Sequence, residues 1–270
     1  MNPEVESVES SLTRAAKAIE RADVVALACH VNPDGDALGS MLGLHHALVA
    51  GGRRSVASFS EPFVTAPHYR EIPGLELLTH PSAFPSQPEV MVTFDCGSLD
   101  RLGDLRGAAG AAQELIVLDH HISNERYGTI NAIDPNAAAT GVLVRRLLDE
   151  LGLALTDDVA VALYTALVCD TGRFQYETTT PQVFALAGEL LAYDVPVSRL
   201  SRVLFEEHRF AYLQLLSEAL ANAELVREQS FVWTAVTQEM LKRHDVTVEE
   251  VDAVVRSAAF AASRAALVAM

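Results

Sequence analysis

Three short apolar runs, Val24–Cys29, Val90–Phe94 and Leu115–Leu118, each give way to an acidic or imidazole side chain: His30, Asp95 and Asp119. An unbroken apolar run of this length is how a strand buried on both faces reads, and such strands belong to parallel sheets. Helical spacing fills the intervals. It covers residues 5–21, with Val8, Leu12, Ala15 and Ile19 on one side, and the segment carrying Leu38, Met41, Leu42 and His45 up to Gly51-Gly52. It continues over 138–151, 157–169, and from Thr180-Pro181 to about 192. Asp36 is expected to cap the second helix, and Thr156 or Asp157 the fourth. Ser55–Phe59 and Gly128–Ile133 add two candidate strands, while 61–88 holds much of the proline and reads as irregular. Strands alternating with helices specify an α/β fold with a doubly wound, mainly parallel sheet. Near 190–200 the pattern changes, which divides the chain into a catalytic domain (1–190), a helical linker (191–214) and a partial second α/β domain (215–270). The last is expected to hold a strand over Phe231–Val236 and an alanine-rich helix over 249–269.

A parallel sheet gathers the ends of its strands along one edge, where ligands bind. Five loop-like stretches would meet there: His30 to Asp36, Phe94 to Gly97, Asp119-His120-His121, Asp134-Pro135-Asn136 and Cys169 to Gly172. Carboxylates about 4 Å apart repel by roughly 4 kcal/mol at an effective dielectric near 20, so such a cluster calls for cations among them. The tight Asn-Pro-Asp-Gly-Asp turn can aim Asp34 and Asp36 at two neighbouring points, with Asp95 bridging and His120 and Asp170 completing the second. Imidazole and carboxylate without sulfur suit Mn²⁺ first, then Mg²⁺, Fe²⁺, Co²⁺ or Zn²⁺. Two such ions generate a hydroxide and hold the oxygens of an in-line displacement at phosphorus. His121, next to a ligand but distinct from it, is a candidate general acid. Asp119 is placed to orient an imidazole.

The formal net charge is −16, with only 20 Lys and Arg. Long nucleic acid demands a dense basic surface, so a duplex-binding protein is excluded as a class. A short anionic substrate is compatible, because bound metal reverses the local charge. Three widely spaced cysteines, Cys29, Cys96 and Cys169, are no disulfide framework and read as small buried groups behind the site. The acidic N-terminus lacks the apolar core of a signal peptide, and no apolar run approaches the roughly 20 residues of a membrane helix. A soluble cytoplasmic protein with no membrane partner is expected.

The segments Cys-His-Val-Asn-Pro-Asp-Gly-Asp-Ala-Leu-Gly-Ser (29–40), Thr-Phe-Asp-Cys-Gly (93–97), Leu-Asp-His-His (118–121) and Cys-Asp-Thr-Gly-Arg-Phe (169–174) closely resemble the DHH phosphoesterases. Within them the chain is similar to the NrnA type, oligoribonucleases that also dephosphorylate 3′-phosphoadenosine 5′-phosphate (pAp). The resemblance covers roughly residues 10–200. It implies two Mn²⁺ ions, one held by His30, Asp34 and Asp95, the other by Asp36, Asp95, His120 and Asp170. It also places His121 near the scissile phosphate. Implied substrates are RNAs of a few nucleotides, pAp, and in some members pApA or cyclic di-AMP. Members also carry a DHH-associated domain with a late Gly-Gly-Gly-His-type loop. No such run follows Gly188, so either the chain is truncated or its second domain is incomplete; a partial domain is expected to expose apolar surface on helix 249–269, which leaves homo-oligomer formation open.

Outside the ligand set, Arg173 and Thr140 are the candidates for binding substrate phosphate; Thr140-Gly141 stands at a helix start, where backbone N–H groups favour anions. His45 reads as a packed histidine, and Tyr164, Phe174, Tyr176 and Phe184 as core. Two other functions compete. A DHH-type inorganic pyrophosphatase needs a basic C-terminal clamp, yet Lys242 is the only lysine after position 200. A non-catalytic nucleotide-binding protein would not be expected to keep all six ligands.

Overall fold

The computed structural model describes residues 6–229, 231–251 and 264–269. They form two compact units. One comprises Met1–Val64 and Glu71–Val197, the other Thr65–Arg70 and Ser198–Met270. The excursion 65–70, read from sequence as irregular chain within the first domain, belongs to the second unit.

In the first unit, α1 (Val8–Arg21) leads into β1 (Val24–Cys29), α2 (Gly35–Ala50) and β2 (Arg54–Ser58). After two short 3₁₀ turns (Leu75–Leu77 and Pro81–Ala83) come β3 (Val90–Phe94), a 3₁₀ segment (Leu99–Leu105), α3 (Arg106–Ala111), β4 (Glu114–Asp119) and β5 (Ile130–Ile133). The unit closes with α4 (Thr140–Glu150), α5 (Asp157–Asp170) and α6 (Pro181–Leu190). The five strands form one sheet in the order β2-β1-β3-β4-β5, every pair parallel. Every residue of β3 and all but the first of β1 and β4 are buried, which is why these strands read as unbroken apolar runs. Their order places a topological switch between β1 and β3, and the chain leaves both strands there, at His30 and Asp95.

Helix α2 packs on β1, β2 and β3 and is itself covered by α5. That explains its weak amphipathicity, since it is buried nearly all round. A Cβ at Gly39 would collide with the carbonyl of Ala162 and stand 3.0 Å from the amide nitrogen of Ala166, so the two helices approach only because position 39 is bare. Ala26, Ala28, Met91 and Leu115 form a separate core with Leu102, Leu105, Ala108 and Ala109 of the 3₁₀–α3 segment.

The cap of α2 differs from expectation. Asp34 is the N-cap, its carboxylate accepting from the Asp36 and Ala37 N–H groups at 3.0 Å, which frees Asp36 for another role. Thr156 caps α5.

The second unit contains α7 (Val197–Phe205), α8 (Phe210–Ala221), β6 (Glu224–Val226), β7 (Phe231–Val236), α9 (Gln238–His244) and β8 (Arg264–Ala269). Strand β7 pairs antiparallel with β6 and parallel with β8. Its core gathers Tyr212, Leu215, Ala219, Val236, Met240, Leu241, Val246 and Val251. The alanine-rich helix expected over 249–269 is corrected where the chain is described. Val248–Glu250 is a 3₁₀ turn and Arg264–Ala269 a strand, because a partner strand in register outweighs alanine's helix preference. The intervening residues 252–263 lie outside the described set. Among the described residues no helix is long and apolar enough to cross a membrane.

Candidate metal centre

The six proposed ligands come from three strand ends and two helix ends. His30 follows β1, Asp34 and Asp36 open α2, Asp95 follows β3, His120 follows β4, and Asp170 ends α5. They meet in groups whose donor atoms lie within 4.8 Å of one another: His30, Asp34 and Asp95 in one, Asp36, His120 and Asp170 in another, with a third, Asp95, Asp119, His120 and His121, overlapping both. Asp95 links them. Its Oδ2 is 3.6 Å from His30 Nε2 and its Oδ1 3.6 Å from His120 Nε2. Asp95 has a left-handed backbone, φ 51°, uncommon for a residue with a Cβ and a form of strain that collects at functional sites. A hydrogen bond from its N–H to the Leu118 carbonyl holds it so.

Both imidazoles are oriented from behind. Nδ1 of His30 lies 2.8 Å from the Val31 carbonyl, and Nδ1 of His120 lies 3.1 Å from the Ala137 carbonyl. A carbonyl only accepts, so each Nδ1 carries hydrogen and each Nε2 turns to the carboxylates, the tautomer a metal ligand requires. His120 Nε2 is buried, 3.0 Å from Asp170 Oδ2 but off the line of a hydrogen bond, so the pair meets as charges. A buried nitrogen without a hydrogen-bond partner, ringed by carboxylates, is what a cation site looks like before its cation. The donor set fits a divalent metal.

The electrostatics agree. Burial, then Asp95 and Asp170, push the Asp36 carboxyl well above the usual carboxylate range; burial and Asp95 raise Asp34 too. Burial works against charge on His120, but Asp170, Asp36 and Asp95 outweigh it and lift the imidazole to about 9. Burial would raise Asp95 as well, yet the neighbouring imidazoles of His121 and His30 hold it well below the ordinary range. Protons thus take up part of the excess negative charge that metal would neutralise. Burial pushes the Cys96 thiol up to about 11, and Cys29 well above its ordinary value, so neither is set up as a thiolate ligand.

Asp119 is fully buried and is no open ligand. Its Oδ1 accepts from the backbone N–H groups of His120 and His121 and from His121 Nδ1 at 2.7 Å; its Oδ2 accepts from Asn124 Nδ2. With Nδ1–H committed, His121 keeps Nε2 for another partner on a ring whose side chain is 42% exposed. The hydrogen bond to Asp119 and the carboxylate of Asp95 beside it raise it to about 10, so it carries a proton at neutral pH.

Thr140 is placed otherwise than as an open phosphate contact. It is fully buried, its N–H donating to Asp36 Oδ2 at 2.6 Å and its hydroxyl to Asp95 Oδ1 at 3.3 Å. Gly141 N–H and Ser40 Oγ donate to Asp36 Oδ1. The start of α4 does bind an anion, but the anion is Asp36. Arg173 is exposed, in a left-handed turn with Gly172 and Phe174 three residues past Asp170. Asp134 bonds Arg146, away from the ligand groups. His45 is buried, its Nδ1 2.8 Å from Ser55 Oγ. Of the aromatic residues read as core, Tyr164 is buried, but Tyr176 and Phe184 are more than half exposed, because α5 and α6 leave that surface uncovered. Asn124 and Ser40 went unread in the sequence; only their spacing after His120-His121 and Asp36 hinted at a supporting role.

The family described as "DHH family, N-terminal domain" matches residues 24–167. The bifunctional oligoribonuclease and PAP phosphatase NrnA of Thermus thermophilus is 34% identical over 199 residues, 73% of this chain and 58% of the relative. A probable protein of the same name from Streptococcus mutans is 28% identical over 242 residues, 88% of this chain and 74% of the relative. The crystal structure of an exopolyphosphatase-related protein from Bacteroides fragilis superposes with a TM-score of 0.83 at 23% identity, covering 92% of this chain and 75% of that one. The chain thus spans less than two thirds of the Thermus protein and about three quarters of the other two.

Proposed function

The chain belongs to the DHH family, and from that premise we propose that it is a metal-dependent phosphoesterase acting on short oligoribonucleotides and on pAp. The observation that carries this reading is the convergence of His30, Asp34, Asp36, Asp95, His120 and Asp170 at the switch point of the sheet. The names of the Thermus and Streptococcus relatives supply the substrate class. We take pApA and cyclic di-AMP as further substrates and the cytoplasm as the site of action.

In this reading His30, Asp34 and Asp95 hold one Mn²⁺, and Asp36, Asp95, His120 and Asp170 a second. Bound ions of this kind polarise phosphoryl oxygens and ionise water near neutral pH. The rest falls to the chain. Thr140, Gly141 and Ser40 fix Asp36, and the Val31 and Ala137 carbonyls fix the two ligand imidazoles. Asp119, braced by Asn124, holds His121 by Nδ1 so that the ring offers a proton from Nε2 to the departing oxygen. Arg173, exposed beside Asp170, is read as a contact to substrate phosphate.

The test is a parallel assay of pApA, pAp and pyrophosphate with Mn²⁺. AMP from pApA and phosphate from pAp, both abolished by chelator, are expected. Cleavage of pyrophosphate alone would replace this reading with a pyrophosphatase, and turnover of none would leave a nucleotide-binding protein.

A further inference from the structure

The ligand cluster is acidic, and among the described residues Arg101 is a cation of its supporting loops with no role assigned so far. Arg101 lies in the 3₁₀ segment Leu99–Leu105, which packs against the end of β1. Its carbonyl accepts from Val31 N–H at 2.8 Å, and the Val31 carbonyl in turn accepts from His30 Nδ1. The Arg101 backbone is therefore two hydrogen bonds from a proposed metal ligand.

The segment is firmly seated. Leu102 and Leu105 are buried in the core, and Gly103, at φ 53°, sits where a Cβ would collide with Ser60 Oγ. With its neighbour Leu102 buried, the Arg101 side chain is exposed, on a backbone tethered to the residue that follows His30. The carboxylates of its own segment are engaged elsewhere. Asp100 pairs with Arg106 at 2.6 Å, and Asp104 accepts from Ser60 Oγ and Glu61 N–H. Among the described residues Arg101 has no carboxylate partner. An arginine held on a fixed turn beside a phosphoryl-transfer centre, with its fork uncommitted, matches the geometry of a phosphate.

We propose that Arg101 forms a subsite for the substrate's non-scissile phosphate, a role that rests on the phosphoesterase reading above. It would favour nucleotides bearing a terminal phosphate over those lacking one.

The test compares pApA with ApA, its counterpart lacking the terminal phosphate, in wild type, Arg101→Ala, Arg101→Lys and Arg106→Ala. A charge-assisted hydrogen bond sets the scale, so the pApA-over-ApA ratio of kcat/KM should fall about ten- to hundredfold in Arg101→Ala. Arg101→Lys should keep part of the ratio, and Arg106→Ala should keep all of it. Bound Mn²⁺ and the melting temperature, measured on each variant, separate this effect from damage to the metal centre. Binding of AMP against adenosine by calorimetry gives a readout independent of turnover. A wild type that hydrolyses neither dinucleotide but binds AMP more weakly after Arg101→Ala would sink the enzyme and spare the subsite. Equal losses on both substrates, or an unchanged ratio, would overturn the subsite.

Discussion

Asp95 and His121 sit within 3.3 Å of each other and should fail in different ways. Each oxygen of Asp95 faces a different ligand imidazole, so Asp95→Ala removes the one carboxylate common to both proposed metal positions. Its Mn²⁺ content should fall at both. His121 gives its Nδ1 hydrogen to Asp119 and meets Asp95 only as a neighbouring charge, so His121→Ala should keep its metal while kcat falls about 10²- to 10⁴-fold, the usual worth of a general acid. Elemental analysis beside steady-state kinetics checks both, and equal metal loss in the two variants would refute the division of labour. These roles were partly legible in the sequence, because a short apolar run followed by an acid or an imidazole marks a strand end facing a site. What stayed hidden was which carboxylate does what. Asp34 and Asp36 are two residues apart, yet one caps α2 and the other is held by the start of α4, 104 residues away. No local pattern encodes that long-range contact, and the same contact takes Thr140 out of the solvent.

At the scale of elements, the site depends on how closely α2 and α5 approach, since Asp34 and Asp36 open one and Asp170 ends the other. Gly39→Ala would drive a methyl into the Ala162 carbonyl and the Ala166 backbone, neither of which can yield without moving α5. Overpacking of this kind costs about 1–3 kcal/mol, and the displacement should carry Asp170 away from His120. Gly107→Ala is the control. Nothing lies within 4 Å of its Cβ position in α3, so helix propensity alone acts, and stability should hold or rise by up to about 1 kcal/mol. Urea unfolding and Mn²⁺ titration of both variants read the outcome, and a Gly39→Ala protein as stable and as tight for metal as wild type would remove the close approach from the account. The period of the apolar residues in the sequence announced the strands of the sheet unit and its helices other than α3, because burial there is set within each element. It failed for Arg264–Ala269, where an alanine-rich segment is a strand because β7 lies alongside it. It failed also for 65–70, whose place in the second unit depends on contacts with chain more than 120 residues later, such as Arg70 to Glu207.

Taken whole, the molecule carries sixteen negative charges in excess and buries several of its acids side by side, so its stability should be tied to whatever neutralises them. Without metal, protons serve. His120 at about 9 and His121 at about 10 lie above the 6.5 of an unperturbed imidazole. A group whose pKa is raised on folding stabilises the fold fully below its unfolded value and loses that contribution as pH climbs through the folded one. Both histidines therefore support the metal-free fold below about 6.5 and cease to do so by pH 9–10. Asp34 and Asp36, also raised, act in the same direction; Asp95, lowered, matters only in acid. Metal needs the same lone pairs bare, so each proton it must expel costs a factor of ten in apparent affinity per pH unit below the pKa. Stabilisation by bound metal grows with that affinity, reaching about 2.7 kcal/mol at a hundredfold excess over Kd. Between pH 6.5 and 9 the chelated protein should therefore melt at progressively lower temperature while the gap to the Mn²⁺-loaded protein widens. Melting curves with EDTA and with Mn²⁺ at half-unit pH steps measure both trends. A gap that stayed constant or narrowed as pH rose would mean that metal does not replace protons in this cluster, and the assignment of His120 as a ligand would have to be abandoned.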